Sequence, residues 1–191
     1  MKHAYTCAPA HWAHHSWLEA GQKIRHERAA RAAHVFLFRR YPQLVQVVLA
    51  DVPALLPLWP RPASARLCRI VAALAFARSL RRVVAARARA ALAVSVAPHL
   101  LVAIQRHPRA DAADLNVEPQ PSLSSRRDMT ALGLALAMHA AADPRYAFWW
   151  SLRLPRDIAE AATHFRVDGL SPRDARELVA DARRLMEARS C

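Results

Sequence analysis

Three histidines early in the chain, His11, His14 and His15, have spacings at which imidazoles can share a helix face and hold a metal ion. A tetrahedral site also needs further ligands and a rigid helix to carry them. No Cys or carboxylate stands at ligand spacing nearby, so the run reads as a solvated arm and no metal site is expected. The three cysteines, Cys7, Cys68 and Cys191, form no ligand spacing, and their odd number fits a reducing compartment. Cys68 opens an apolar helical stretch, where a thiol is ordinarily buried and inert. His139 falls on the apolar side of its predicted helix, which suggests a partly buried, hydrogen-bonded core residue rather than a general base. Only three glycines are present, which excludes a glycine-rich phosphate loop, and no nucleophile elbow occurs. Carboxylates are scarce through the middle of the chain, against paired-carboxylate chemistry. The residues therefore predict a protein that is not an enzyme, with no catalytic residue, cofactor or small-molecule substrate.

Binding is the chemistry left, and two features bear on it. Between Asp51 and Asp111 there is no acidic residue, yet ten arginines occur, at 61, 66, 69, 78, 81, 82, 87, 89, 106 and 109. A solvated helix normally interleaves both signs and gains small i,i+4 pair energies. Here no local acid can neutralise the guanidinium groups, so they face water, distant acids or an acidic partner. Arg78, Arg81 and Arg82 are the candidates for contact with such a partner. The second feature is Phe148-Trp149-Trp150 with Arg153. Neighbouring side chains on a regular element diverge, so two consecutive tryptophans should not both point inward. Trp149, Trp150 and Arg153 are either an interface hot spot, where Trp and Arg are enriched, or core residues of an irregular segment.

The elements that must position these residues are helices. The chain is rich in Ala, Leu and Arg, which favour helix, and poor in the β-branched and aromatic runs that favour strands. An all-α fold follows: a single compact multi-helix domain over 16–191, with a loose His-rich N-terminal arm over 1–15. A helix from about Ser16 ends at Tyr41-Pro42, and a short apolar one covers Leu44 to Leu49. Four prolines in 53–62 predict a rigid extended connection. A helix from about Ser64 presents Leu67, Ile70, Val71 and Leu74 on one face. Pro98 kinks or divides a further stretch over Ala90–Gln105, and 107–123 reads as a long solvated loop. Ser125 caps a helix with Asp128 at its third position. Ser171, Pro172 and Asp174 open the last one, striped with Leu178, Ala182 and Leu185. Residues 146–154 fit a helix or a strand equally.

A formal net charge of +13 favours nucleic acid, anionic lipid or an acidic protein face as partner. No uncharged stretch reaches the ~20 apolar residues of a membrane span, and the start of the chain lacks the apolar core of a secretory signal. Both predict a cytoplasmic protein.

Leu67-Cys68-Arg69 with Arg81-Arg82-Val83, and Met129 to His139 followed by Trp150-Ser-Leu-Arg-Leu-Pro155, carry a family resemblance. Over roughly 55–155 the chain resembles the SctK/YscK family of type III secretion sorting-platform accessory proteins, particularly its Hrp-type members from plant-associated bacteria. The resemblance implies a non-enzymatic helical adaptor at the cytosolic face of the inner membrane, supporting protein secretion and virulence. It would link SctQ-like pods, and through them an SctL-like stator and the secretion ATPase, to an SctD-type ring. It brings no catalytic residues with it. The other reading of the charge is a basic nucleic-acid-binding or regulatory protein, which the lack of a helix-turn-helix, zinc-finger or stacking-aromatic motif disfavours.

Overall fold

The computed structural model describes residues 9–18, 27–48, 61–141 and 144–188. Eleven α-helices lie among them. They are α1 (Pro9–Trp12), α2 (Glu27–Arg40), α3 (Gln43–Val48), α4 (Arg61–Ala75), α5 (Ala77–Arg81), α6 (Ala86–Val96), α7 (Pro98–Gln105), α8 (Arg126–Ala140), α9 (Pro144–Leu152), α10 (Arg156–Ala162) and α11 (Pro172–Glu187). Short 3-10 turns cover His15–Trp17 and Pro108–Asp111. The strands among the described residues form one small antiparallel ribbon, β1 (Asn116–Glu118) with β2 (Arg166–Asp168), with Val117 opposite Val167. The fold is all-α, as the composition predicts.

Helices α4 and α8 form the centre. Leu67, Ile70, Val71 and Leu74 are buried as their spacing requires, and so are Ala72 and Ala73 on the other side. Met129, Leu132, Leu134 and Leu136 make α8 equally apolar all round. Helices of that kind must be covered on every side. Accordingly α4 lies against α8 and α11, while α8 also meets α9, α10 and α11. The two central backbones touch at Gly133, where a Cβ would stand 1.8 Å from the Cys68 carbonyl oxygen. The Ser125 hydroxyl accepts the Asp128 N–H (3.2 Å), and Ser171 does the same for Asp174 (3.1 Å). These caps set the starts of α8 and α11 where the sequence places them.

Three expectations change. The His-rich arm is packed rather than loose over residues 9–15: Trp12 and Ala13 are buried, as is Trp17 just beyond it, and the His14 N–H donates to the Leu152 carbonyl at 2.7 Å. Two tryptophans give this short segment enough apolar area to dock, which its histidines obscured. Residues 107–123 are anchored, since Ala110 and Val117 are buried and the Leu115 N–H closes the end of α4 on Ala75 O at 3.1 Å. His139 is exposed at the end of its helix stripe, with Nε2 2.6 Å from Leu170 O. Residues 144–152 are helical. Pro98 divides its stretch: α6 and α7 meet at 105° through Ala97, whose φ is +80°. The proline-rich connection at 53–60, the first residues of the arm and the predicted helix through 19–26 lie outside the described residues.

Candidate functional site

The α5 segment is held by acids from beyond the acid-free run. Asp114 accepts the Arg78 and Ser79 N–H groups (each 3.1 Å) and the Ser79 hydroxyl, which caps a helix too short to be stable alone. Arg81 reaches across the surface to the end of α7. Its Nε donates to Gln105 O at 2.8 Å and a terminal nitrogen pairs with Asp111 at 2.5 Å. Gln105 Nε2 in turn donates to Leu80 O at 2.8 Å, which fixes the end of α7 against the end of α5. Arg81 therefore ties α5 to the end of α7 and to Asp111, while its side chain remains 40% exposed.

Other arginines of the run also find internal acceptors. Arg61 reaches Trp12 O (3.3 Å), Arg66 sits 3.2 Å from His99 Nε2, and Arg69 donates to Ser95 O at 2.7 Å. Arg109 pairs with Asp181 at 2.6 Å, and Arg184 closes on the same carboxylate. Burial would raise the Asp181 pKa, but the hydrogen bonds from these two guanidinium groups outweigh it and hold the carboxyl below its usual range.

The remaining five, Arg78, Arg82, Arg87, Arg89 and Arg106, are exposed and have no carboxylate partner among the described residues. Arg78 and Arg82 flank the last turn of α5, Arg106 ends α7 beside it, and Arg87 and Arg89 lie on the first turn of α6. The unbalanced charge is thus gathered where α5, α6 and α7 come together. Arg78 and Arg82, candidates by sequence, are exposed in the structure. The tie through Gln105 is a contact in space that no local sequence pattern carries.

The aromatic candidates sit elsewhere. Trp149 and Trp150 are 2% and 5% exposed and Arg153 is 7% exposed, so none is available to a partner. All three are corrected to core residues. The physical reason is that α9 is covered on several sides, by α3, α8 and α10 and by the N-terminal segment. Trp149 stacks on Trp12 with ring centroids 4.3 Å apart. Arg153 Nε donates to the buried Ser64 hydroxyl at 3.3 Å. Consecutive tryptophans can both be buried when their helix has neighbours in both directions. The Ser151–Pro155 stretch itself is a docking point for the N-terminal segment: Trp17 Nε1 donates to Leu154 O at 2.8 Å, and the Arg156 N–H to the Ser16 hydroxyl at 2.8 Å.

Among the described residues no group of three or more His, Cys, Asp or Glu is placed to hold a metal ion. Cys68 is fully buried, and burial pushes its thiol up to about 12, far from a nucleophilic thiolate at neutral pH. No single helix among the described residues is long and apolar enough to cross a membrane. No protein-family model, curated protein or solved structure matches this chain.

Proposed function

We propose that this chain is a non-enzymatic adaptor of the type III secretion cytosolic sorting platform, joining SctQ-like pods to an SctD-type inner-membrane ring from the cytoplasmic side. The observation that carries the reading is the cluster of exposed arginines where α5, α6 and α7 meet, with no acid in the sequence from Val52 to Ala110 to neutralise it. Like charges gathered on a folded surface repel one another and favour an acidic partner. The resemblance over 55–155 supplies the identity of that partner. The Ser-Leu-Arg-Leu-Pro stretch contributes to the resemblance as part of the core.

Arg78 and Arg82 are the residues to change, because Arg81 is committed to Asp111 and Gln105. Charge reversal in R78E/R82E is expected to reduce co-purification with the SctQ-like protein at least about tenfold, as for lost charge complementarity at an interface. The helical circular dichroism should stay unchanged. Full co-purification by a folded R78E/R82E variant would refute the assignment.

Nucleic acid is the second reading, favoured by the same arginines. It predicts DNA or RNA affinity that falls steeply with added salt. Against it, no Phe, Tyr or Trp side chain among the described residues is in the exposed class.

A further inference from the structure

Residues 84–90 are exposed throughout, and Val84 is 85% exposed. A helix end standing in water is ordinarily polar, but this one reads Val-Ala-Ala-Arg-Ala-Arg-Ala. Beside it lies an open groove of about 620 Å³ between the end of α5, the inner face of α6 and the chain just before α8. Leu80, Val83, Ala88, Leu92 and Leu123 form its walls, and Arg87 stands on its lining.

The groove's lining includes no carboxylate. Arg82 adjoins Val83 at one end and Arg87 lies in the wall. Helix α6 begins here at Ala86, and its N-cap Ala85 offers no side-chain oxygen to the first N–H groups, so the positive end of the helix adds to the arginines. The nearby carboxylates are committed elsewhere. Asp114 caps α5, Asp111 holds Arg81, and Asp128 accepts the Ser122 N–H at 3.2 Å.

From this we infer that the α5–α6 groove is a docking site for an amphipathic helix of a partner protein, with an apolar ridge in the groove and Asp or Glu along its flank. The concave apolar floor fits the side chains of such a ridge, spaced at i, i+3, i+4 and i+7. A bilayer would instead take up a convex apolar face. Nucleic acid would leave the apolar walls without a role. The inference shares with the adaptor reading only the premise that the occupant is a protein; it adds the groove, the helix and the sign of its charge.

A display library of helical peptides about 16 residues long (~24 Å), with Leu and Ala on one face and Glu or Lys randomised on its flanks, tests this against the full chain. Wild-type protein is expected to enrich Glu-flanked over Lys-flanked clones by about tenfold or more. Ala88→Trp, an exposed position whose larger side chain fills the groove, should abolish that enrichment. R82E/R87E, which leaves the groove open, should reverse it toward Lys-flanked clones. Equal recovery of both flanks, or the same clones captured by A88W, would overturn the proposal. So would groove-dependent flotation of the free chain with phosphatidylcholine–phosphatidylglycerol vesicles, which assigns the face to lipid. Self-association lost in A88W would assign it to a second copy and overturn it equally. If acidic helices are selected but the SctQ-like protein does not bind, the adaptor reading fails and the groove stands. If that protein binds wild type and A88W alike, the groove fails and the adaptor reading stands.

Discussion

Gly133 sets how closely the two central helices approach, because its missing side chain leaves room for the Cys68 backbone. Gly133→Ala places a methyl group 1.8 Å from a carbonyl oxygen, and the contact is backbone that cannot swing aside. The expected cost is about 3 kcal/mol, as for overpacking in a tight core. That should lower the melting temperature by roughly 6–12 °C. An unchanged thermal transition would mean that α4 and α8 are further apart than described. Nothing in the sequence marks this glycine, since its constraint comes from a residue 65 positions away. Cys68 opposite it was legible as a buried thiol from its apolar neighbours, as were the Ser125 and Ser171 caps from their local pattern. Trp149, Trp150 and Arg153 were not. Their burial depends on how many elements surround α9, which a one-dimensional period does not carry.

At the scale of elements, the N-terminal segment is held in shape and in place by two imidazole nitrogens that accept N–H groups and so are neutral. His34 Nδ1 accepts the Ala10 N–H at 3.2 Å, and His14 Nδ1 accepts the Ser16 N–H at 3.2 Å. Burial lowers the pKa of both from 6.5. His11 adds to the shift for His34, and His15 and Arg61 for His14, while Asp157 partly opposes it. A histidine with a depressed folded-state pKa binds fewer protons than in the unfolded chain. Its contribution is complete above about pH 6.5 and is lost as pH falls through the lower folded value. Wild type should therefore lose melting temperature between pH 7 and 5 (about the range of histidine titration) more steeply than His14→Asn/His34→Gln. Parallel curves would contradict this docking mode. The sequence showed the histidines as a cluster, but the tryptophans beside them decide that the segment packs.

The break between α6 and α7 belongs to the same scale. Pro98 made the break legible; the angle and the strain were not. Pro98 keeps Ala97 out of helical geometry, and a φ of +80° suits glycine far better than alanine. Ala97→Gly is expected to add about 1 kcal/mol of stability, visible as a melting temperature raised by roughly 2–4 °C. A fall would show that Ala97 is not strained.

For the whole molecule, the helical class was readable because composition and caps agree everywhere along the chain. The β1–β2 ribbon was hidden in polar residues around prolines, where only Val117 and Val167 provide apolar pairing. Charge was legible as a total and as an acid-free run, but not as a place. Folding divides the ten arginines of that run into five with internal acceptors and five that face solvent near one junction. That division underlies the proposal that the junction of α5, α6 and α7 binds an acidic protein surface. The most direct measurement is the affinity of the full chain for the SctQ-like protein by titration calorimetry, at low and high salt, beside R78E/R82E. Wild-type binding is expected to weaken with salt and to fall at least about tenfold in the variant. Equal affinity of wild type and R78E/R82E at both salt concentrations would contradict it.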